Sequence, residues 1–451
     1  LKVDPEHAEG HFRLGTVYLR LGDTARGTRL IAEGYELGNP DQEMYYQMGL
    51  GYALVKMYEE AVAAFTGCVE LMPEREEAWV ELSAALLKAG RKREAAEANL
   101  KLFQLAPDKY QGYLADAGHI YFDLKMKQEA VQTYSLFLKS GYEDDEVRAK
   151  LAFLEYGRDN YARVVELIRA VGGKWATDRR VLMMRAESYY HLKNYREALS
   201  DLAEVLDRDP GNRRAVELTA LAWEDSGNLR KASRYYEDYL RFPETDKHRD
   251  YAFHAGELYE RQKDIGEAKR RYRANIQRYP DDLRSYERLA RIHYDAADWP
   301  AAEKVLTRAV ELSDCPARLY KMLAETSERR GKTGQAIQYY EHYLTMEPRD
   351  GPAWHALGSI YFETARFEKA VSPLQMAVKH NADNYDDLVM LGKALFKLGK
   401  YAVALEPLRS AHRTRPGNIE VMELLAKCYR NEADTTGLIG ILRQWLAADP
   451  T

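Results

Sequence analysis

Cysteine is nearly absent from this chain. Cys68, Cys315 and Cys428 are the three in 451 residues; they are an odd number, widely separated, with no CxxC pair. That excludes a disulfide framework and a cysteine-based metal site, and the expected state is thiols packed as small apolar groups. Long apolar runs are missing too. No stretch approaches the roughly 20 apolar residues that span a bilayer, and Leu1 to Glu9 carry no signal-peptide core, so the chain reads as soluble and not inserted in a membrane. This leaves the compartment open between the cytoplasm and a bacterial periplasm or envelope. An excess of one charge is also lacking: Lys plus Arg total 66 against 71 Asp plus Glu, a net charge of −5, which gives no general attraction for nucleic acid.

Motifs for chemistry are equally scarce. Gly331-Lys332-Thr333 resembles the tail of a phosphate-binding loop, but Thr326 stands where that loop needs a further glycine. Gly49-Leu50-Gly51 lacks the third glycine and the preceding strand of a dinucleotide fingerprint. There is no HExxH pair, and His248 and His254 fall on different faces of a helix. Lys269, Arg270, Arg271, Arg273 and Arg278 crowd one segment, yet residues 249–282 hold eight basic and seven acidic side chains, a net of +1, which reads as a solvated, salt-bridged face. The expectation is no catalytic residue, no metal, no cofactor and no nucleic-acid partner.

What is present is periodicity. Gly15, Gly49, Ser83, Gly118, Ala152, Ala186, Ala220, Gly256, Ala290, Ala324, Gly358, Gly392 and Ala426 form a column of small residues recurring near every 34 positions. Twelve residues after each comes a second column, alanine in ten of thirteen cases, from Gly27 through Ala61 and Ala95 to Leu438. Prolines such as Pro73, Pro107, Pro210, Pro280, Pro348 and Pro416 close the units. Between the columns, large apolar residues recur at helical spacing, as in Trp79, Leu82 and Leu86. Each unit therefore reads as two helices, crossing where small side chains let the axes approach.

Trp354, Leu357, Gly358, Tyr361 and Ala370, with Leu374 in place of the later aromatic, resemble the tetratricopeptide repeat. The likeness covers thirteen units starting at 8, 42, 76, 111, 145, 179, 213, 249, 283, 317, 351, 385 and 419. It implies an all-α fold, an α-solenoid of antiparallel helix pairs wound into a right-handed superhelix. Residues 1–7 then read as the end of a preceding repeat, 8–178 as repeats one to five with a hinge near 172–175, and 179–451 as repeats six to thirteen. Val3-Asp4-Pro5 and Asp449-Pro450-Thr451 both carry the closing signature, which reads as a segment of a longer array. Pro373 and Pro407 are expected to kink their helices, and the closing helix from Leu438 to Leu446 to expose an apolar side.

The resemblance also implies that first helices line a concave groove. In the first six repeats the corresponding positions include Phe12, Leu19, Tyr46, Leu50, Val80, Leu87, Phe122, Phe153, Tyr156, Met183 and Tyr190, an apolar and aromatic lining. In repeats seven to ten they are charged, with Glu217, Asp225, Asp250, Glu260, Glu287, Arg318 and Glu325 among them. A contiguous apolar patch marks an interaction surface. The expected function is a non-catalytic scaffold that binds partner helices or peptides within a multiprotein assembly of the bacterial envelope or secretion kind; the alternative is the substrate-recruiting arm of a larger enzyme. The sixth position of first helices holds no asparagine, which argues against a carboxylate clamp for chaperone tails.

Overall fold

The structure, a computed structural model, describes residues 6–448, so both closing signatures lie outside the described residues. Among those residues are twenty-seven α-helices and no strand. Twenty-six of the helices form thirteen antiparallel pairs. First helices begin at Ala8, Gln42, Glu76, Gln111, Asp145, Arg179, Arg213, Lys247, Leu283, Ala317, Gly351, Tyr385 and Ile419. The remaining helix, Gly173–Ala176, is a single turn between repeats five and six.

Repeat eight starts two residues before the expected position. The cause is the longer connection from Phe242 to Asp246, which wraps around His248. That buried imidazole accepts from the Thr245 backbone N–H at 3.0 Å through Nδ1 and reaches the Phe242 carbonyl at 3.1 Å through Nε2. Satisfying these otherwise orphaned backbone groups draws the helix start forward.

The turn inside each pair is equally regular. It holds one residue with φ between +54° and +85°, at positions 22, 56, 90, 125, 159, 193, 227, 263, 297, 331, 365, 399 and 433. Glycine, which has no Cβ to clash there, supplies five of them; Lys, Asp and Ala fill the other eight. Asp41, Asp350 and Asn418 cap first helices by accepting from the backbone N–H groups of Met44, Ala353 and Val421 at 2.8, 3.0 and 3.0 Å.

The small column is explained by what lies over it. A Cβ added at Gly49, Gly118 or Gly256 would stand 2.5 Å from a ring carbon of Phe65, Tyr134 or Tyr272, and at Gly392 2.5 Å from Leu408. In every case the covering residue lies sixteen positions later, on the second helix, and is fully buried. Repeat three uses a polar version in which the Ser83 hydroxyl donates to Asn99 Oδ1. Helices Phe367–His380 and Tyr401–Thr414 continue through Pro373 and Pro407, whose rings are buried. The closing helix leaves Ile439, Leu442 and Leu446 exposed.

Contacts gather the described residues into two compact blocks that divide between Tyr235 and Tyr236. The division falls within helix Leu229–Tyr239 of repeat seven, while the Gly172-Gly173 joint lies inside the first block. In the second block, neighbouring first helices are joined by ion pairs between adjacent repeats. Asp250 meets Arg284 at 2.9 Å, Glu260 meets Arg288 at 2.8 Å, Glu287 meets Arg318 at 2.6 Å and Lys321 meets Asp350 at 2.6 Å. The charged wall is thus largely answered from within. Further along, His355 Nδ1 lies 2.5 Å from the carboxylate of Asp387, which is almost wholly buried. The hydrogen bond to Asp387 raises the His355 pKa above its ordinary value, outweighing the opposite effect of burial.

Two expectations follow. Gly118→Ala lowers the urea midpoint of the first block, at a cost of about 1–3 kcal/mol for overpacking against Tyr134, whereas Gly112→Ala on the same helix, where a Cβ meets nothing within 4 Å, is neutral or mildly stabilising. For His355, a raised folded pKa means stabilisation that is complete below the unfolded pKa of about 6.5 and fades as pH rises through the folded value. The stability difference between the parent and His355→Gln, from thermal unfolding at a series of pH values, is therefore largest in mild acid and shrinks toward alkaline pH.

Candidate functional site

The short helix at the Gly172-Gly173 joint sets Trp175 against the first helices of repeats four, five and six. Together they enclose a cavity of about 640 Å³. Phe122 comes from Gln111–Asp123, Phe153 and Tyr156 from Asp145–Tyr156, and Met183 from Arg179–His191. Ala149, Val181 and Met184, all buried, form part of its lining. The Phe122 and Phe153 rings meet edge-to-face at 6.3 Å, and Phe153 remains 58 % exposed. A large, half-solvated aromatic beside a buried apolar surface makes this an open apolar cavity rather than a closed core.

The polar side chains around this surface are internally matched. Lys150 Nζ lies 5.5 Å from the Phe122 ring centroid, 2.8 Å from Glu146 and 3.1 Å from His119 Nδ1. The hydrogen bond from Lys150 holds the Glu146 carboxyl below the usual carboxylate range, against the effect of burial. Burial pushes the His119 pKa down, and the nearby Lys150 charge adds to the shift. Tyr156 donates its hydroxyl proton to Glu187, which also receives Arg214 at 2.6 Å. Burial first, and then that carboxylate, raise the Tyr156 pKa well beyond the ordinary phenol value. Asp178 caps Arg179–His191 and accepts from the Arg180 backbone N–H at 2.8 Å; burial opposes ionisation, but the hydrogen bonds from Arg180 prevail and hold its carboxyl low. The site offers shape, aromatic surface and a few oriented charges, with no nucleophile paired to a base.

Of the eleven apolar groove residues singled out from the sequence, Phe122, Phe153, Tyr156 and Met183 meet at this cavity. Tyr190 is nearby in sequence but spends its hydroxyl on Asp225 at 2.8 Å. Tyr46 lies under the Arg75 guanidinium, 4.1 Å from the ring centroid, and Leu50 packs partly buried beside the same core. Val80 is half-buried and Leu87 exposed, both on Glu76–Lys88. Phe12 is a correction. It is 1 % exposed, because Gly34 leaves room for its ring to fold onto the second helix, where it also meets Tyr35 edge-on at 5.2 Å. Leu19 is likewise closed over Gly27. Trp175 was missed, since it belongs to a connection outside the first-helix frame by which groove positions are counted. The basic segment of repeat eight carries its own partners: Arg270 pairs with Glu267 at 2.9 Å, Arg271 with Glu237 at 2.8 Å and Arg278 with Glu244 at 3.5 Å.

The tetratricopeptide repeat family matches residues 183–247 and 253–314. A Bacillus subtilis relative, the TPR repeat-containing protein YpiA, is 18% identical over 319 residues, spanning 70% of this chain and 74% of that protein. The thirteen helix pairs thus share the tetratricopeptide-repeat architecture. Among solved structures, Naa15/Naa10 bound to HypK-THB overlaps with a TM-score of 0.41 at 15% identity, covering 99% of this chain and 75% of the other. YrrB, described as a TPR protein with an unusual peptide-binding site, overlaps with a TM-score of 0.35 at 18% identity, covering 40% of this chain and 92% of YrrB. As a tetratricopeptide-repeat array, the chain has the architecture of a protein-interaction scaffold. Among the described residues, no helix is long and apolar enough to cross a membrane.

The two phenylalanines make opposite demands. Phe12→Ala costs about 3–5 kcal/mol, as for a closed core position, whereas Phe153→Ala costs no more than about 1 kcal/mol; chemical unfolding followed by circular dichroism measures both.

Proposed function

We propose that this tetratricopeptide-repeat array is a non-catalytic scaffold that holds an apolar segment of a partner protein, and that the pocket around Phe122, Phe153, Tyr156, Trp175 and Met183 is its main anchoring point. The observation that carries this reading is the 640 Å³ aromatic cavity between three successive first helices. Burying one bulky apolar side chain contributes roughly 1.5–3 kcal/mol, against an association cost of about 4–15 kcal/mol. One anchor is therefore insufficient. Neighbouring first-helix residues such as Leu87 and Tyr190 would extend the contact along the same block, and the charged pairs farther along would serve a separate partner or only stiffen the array. Assembly of several proteins on one chain is the role that such a division suits.

Quantitative affinity capture from the native cell tests the reading. A partner retained by the parent chain is lost on Phe153→Asp and kept on Leu136→Asp, an equally apolar exposed position on a second helix. Retention at full strength by a folded Phe153→Asp protein would refute it.

A further inference from the structure

Trp175 lines a second space as well. Beside the aromatic pocket lies a cleft of about 620 Å³, lined by Glu143, Asp144, Asp145 and Glu146 together with Arg148, Gly172 and Trp175. Four carboxylates and one guanidinium give this lining a formal charge of −3. Part of it is answered locally, Glu143 by Arg148 at 3.1 Å and Glu146 by Lys150 at 2.8 Å. Asp144 is engaged as a helix cap, accepting from the Val147 backbone N–H at 2.8 Å. Asp145 has no cation within ion-pair distance among the described residues, and its carboxylate lies beside both glycines of the joint. A Cβ on Gly172 would come within 3.4 Å of its Oδ2, so the missing side chain keeps that carboxylate accessible.

We infer that the partner segment carries a bulky apolar side chain flanked by a lysine or arginine, the apolar group entering the aromatic pocket and the cation entering the acidic cleft that Trp175 also lines. The inference rests on the scaffold reading above and adds the chemistry of what is bound. Trp175 links the two spaces, so adjacent residues of one segment reach both. Its ring is also a surface for a cation, as Lys174 shows by lying 5.3 Å from the centroid. Charge complementarity of this kind selects among apolar partners more than it adds raw affinity.

Panning a random peptide display library against the full chain, with Phe153→Asp and the isosteric pair Glu143→Gln plus Asp145→Asn as parallel targets, tests the inference. The expected result is enrichment of sequences with a large apolar residue next to Lys or Arg. That enrichment vanishes on Phe153→Asp and loses its basic component on the paired variant. A selected peptide should bind the paired variant roughly two- to fivefold more weakly per charge removed, with the difference narrowing at high salt. Apolar sequences without a basic neighbour, still dependent on Phe153, would overturn the charge requirement and leave the scaffold reading standing. No sequence dependent on Phe153 would overturn both.

Discussion

One recurring contact governs the architecture: a side chain on the second helix laid against a nearly bare backbone on the first. Gly49 beneath Phe65, Gly118 beneath Tyr134 and Gly256 beneath Tyr272 leave no space for a further carbon. The large partner is fully buried each time, so dispersion and desolvation act together there. Because the two residues are sixteen apart in sequence, every pair can form its core locally, and stability grows by the sum of such pairs and their interfaces.

The same economy shapes the charges. Long acidic and basic side chains on first helices would repel or wander if left alone, but successive first helices bring Glu287 to Arg318 and Asp250 to Arg284. Such pairs contribute little individually. Their larger effect is to occupy polar surface along the first helices, whereas the aromatic cavity of repeats four to six is lined mainly by apolar side chains.

Much of this was readable before any coordinates. A small residue every 34 positions betrays the close crossing even when its cover cannot be named, and twelve of thirteen first helices begin where the columns place them. The exception, repeat eight, depends on His248 folding into its own connection, which no column records. The pocket was partly legible. Phe122, Phe153, Tyr156 and Met183 come from counting along first helices, a method that treats each helix as if its partner were the same. It fails at Phe12, where Gly34 on the second helix vacates the room that the ring then takes. It also overlooks Trp175, placed by an irregular joint and therefore outside any periodic frame.

The thirteen left-handed turn residues have a further result. A single residue at positive φ lets each pair reverse direction with almost no connecting chain, so little backbone stands free to enter the extended conformation that a protease active site requires. The conspicuous departures are the connection from Phe242 to Asp246 and the Gly172-Gly173 joint beside Trp175. Resistance to cleavage along the array is consequently uneven by construction, and one of these irregular connections also carries Trp175 into the wall of the aromatic cavity.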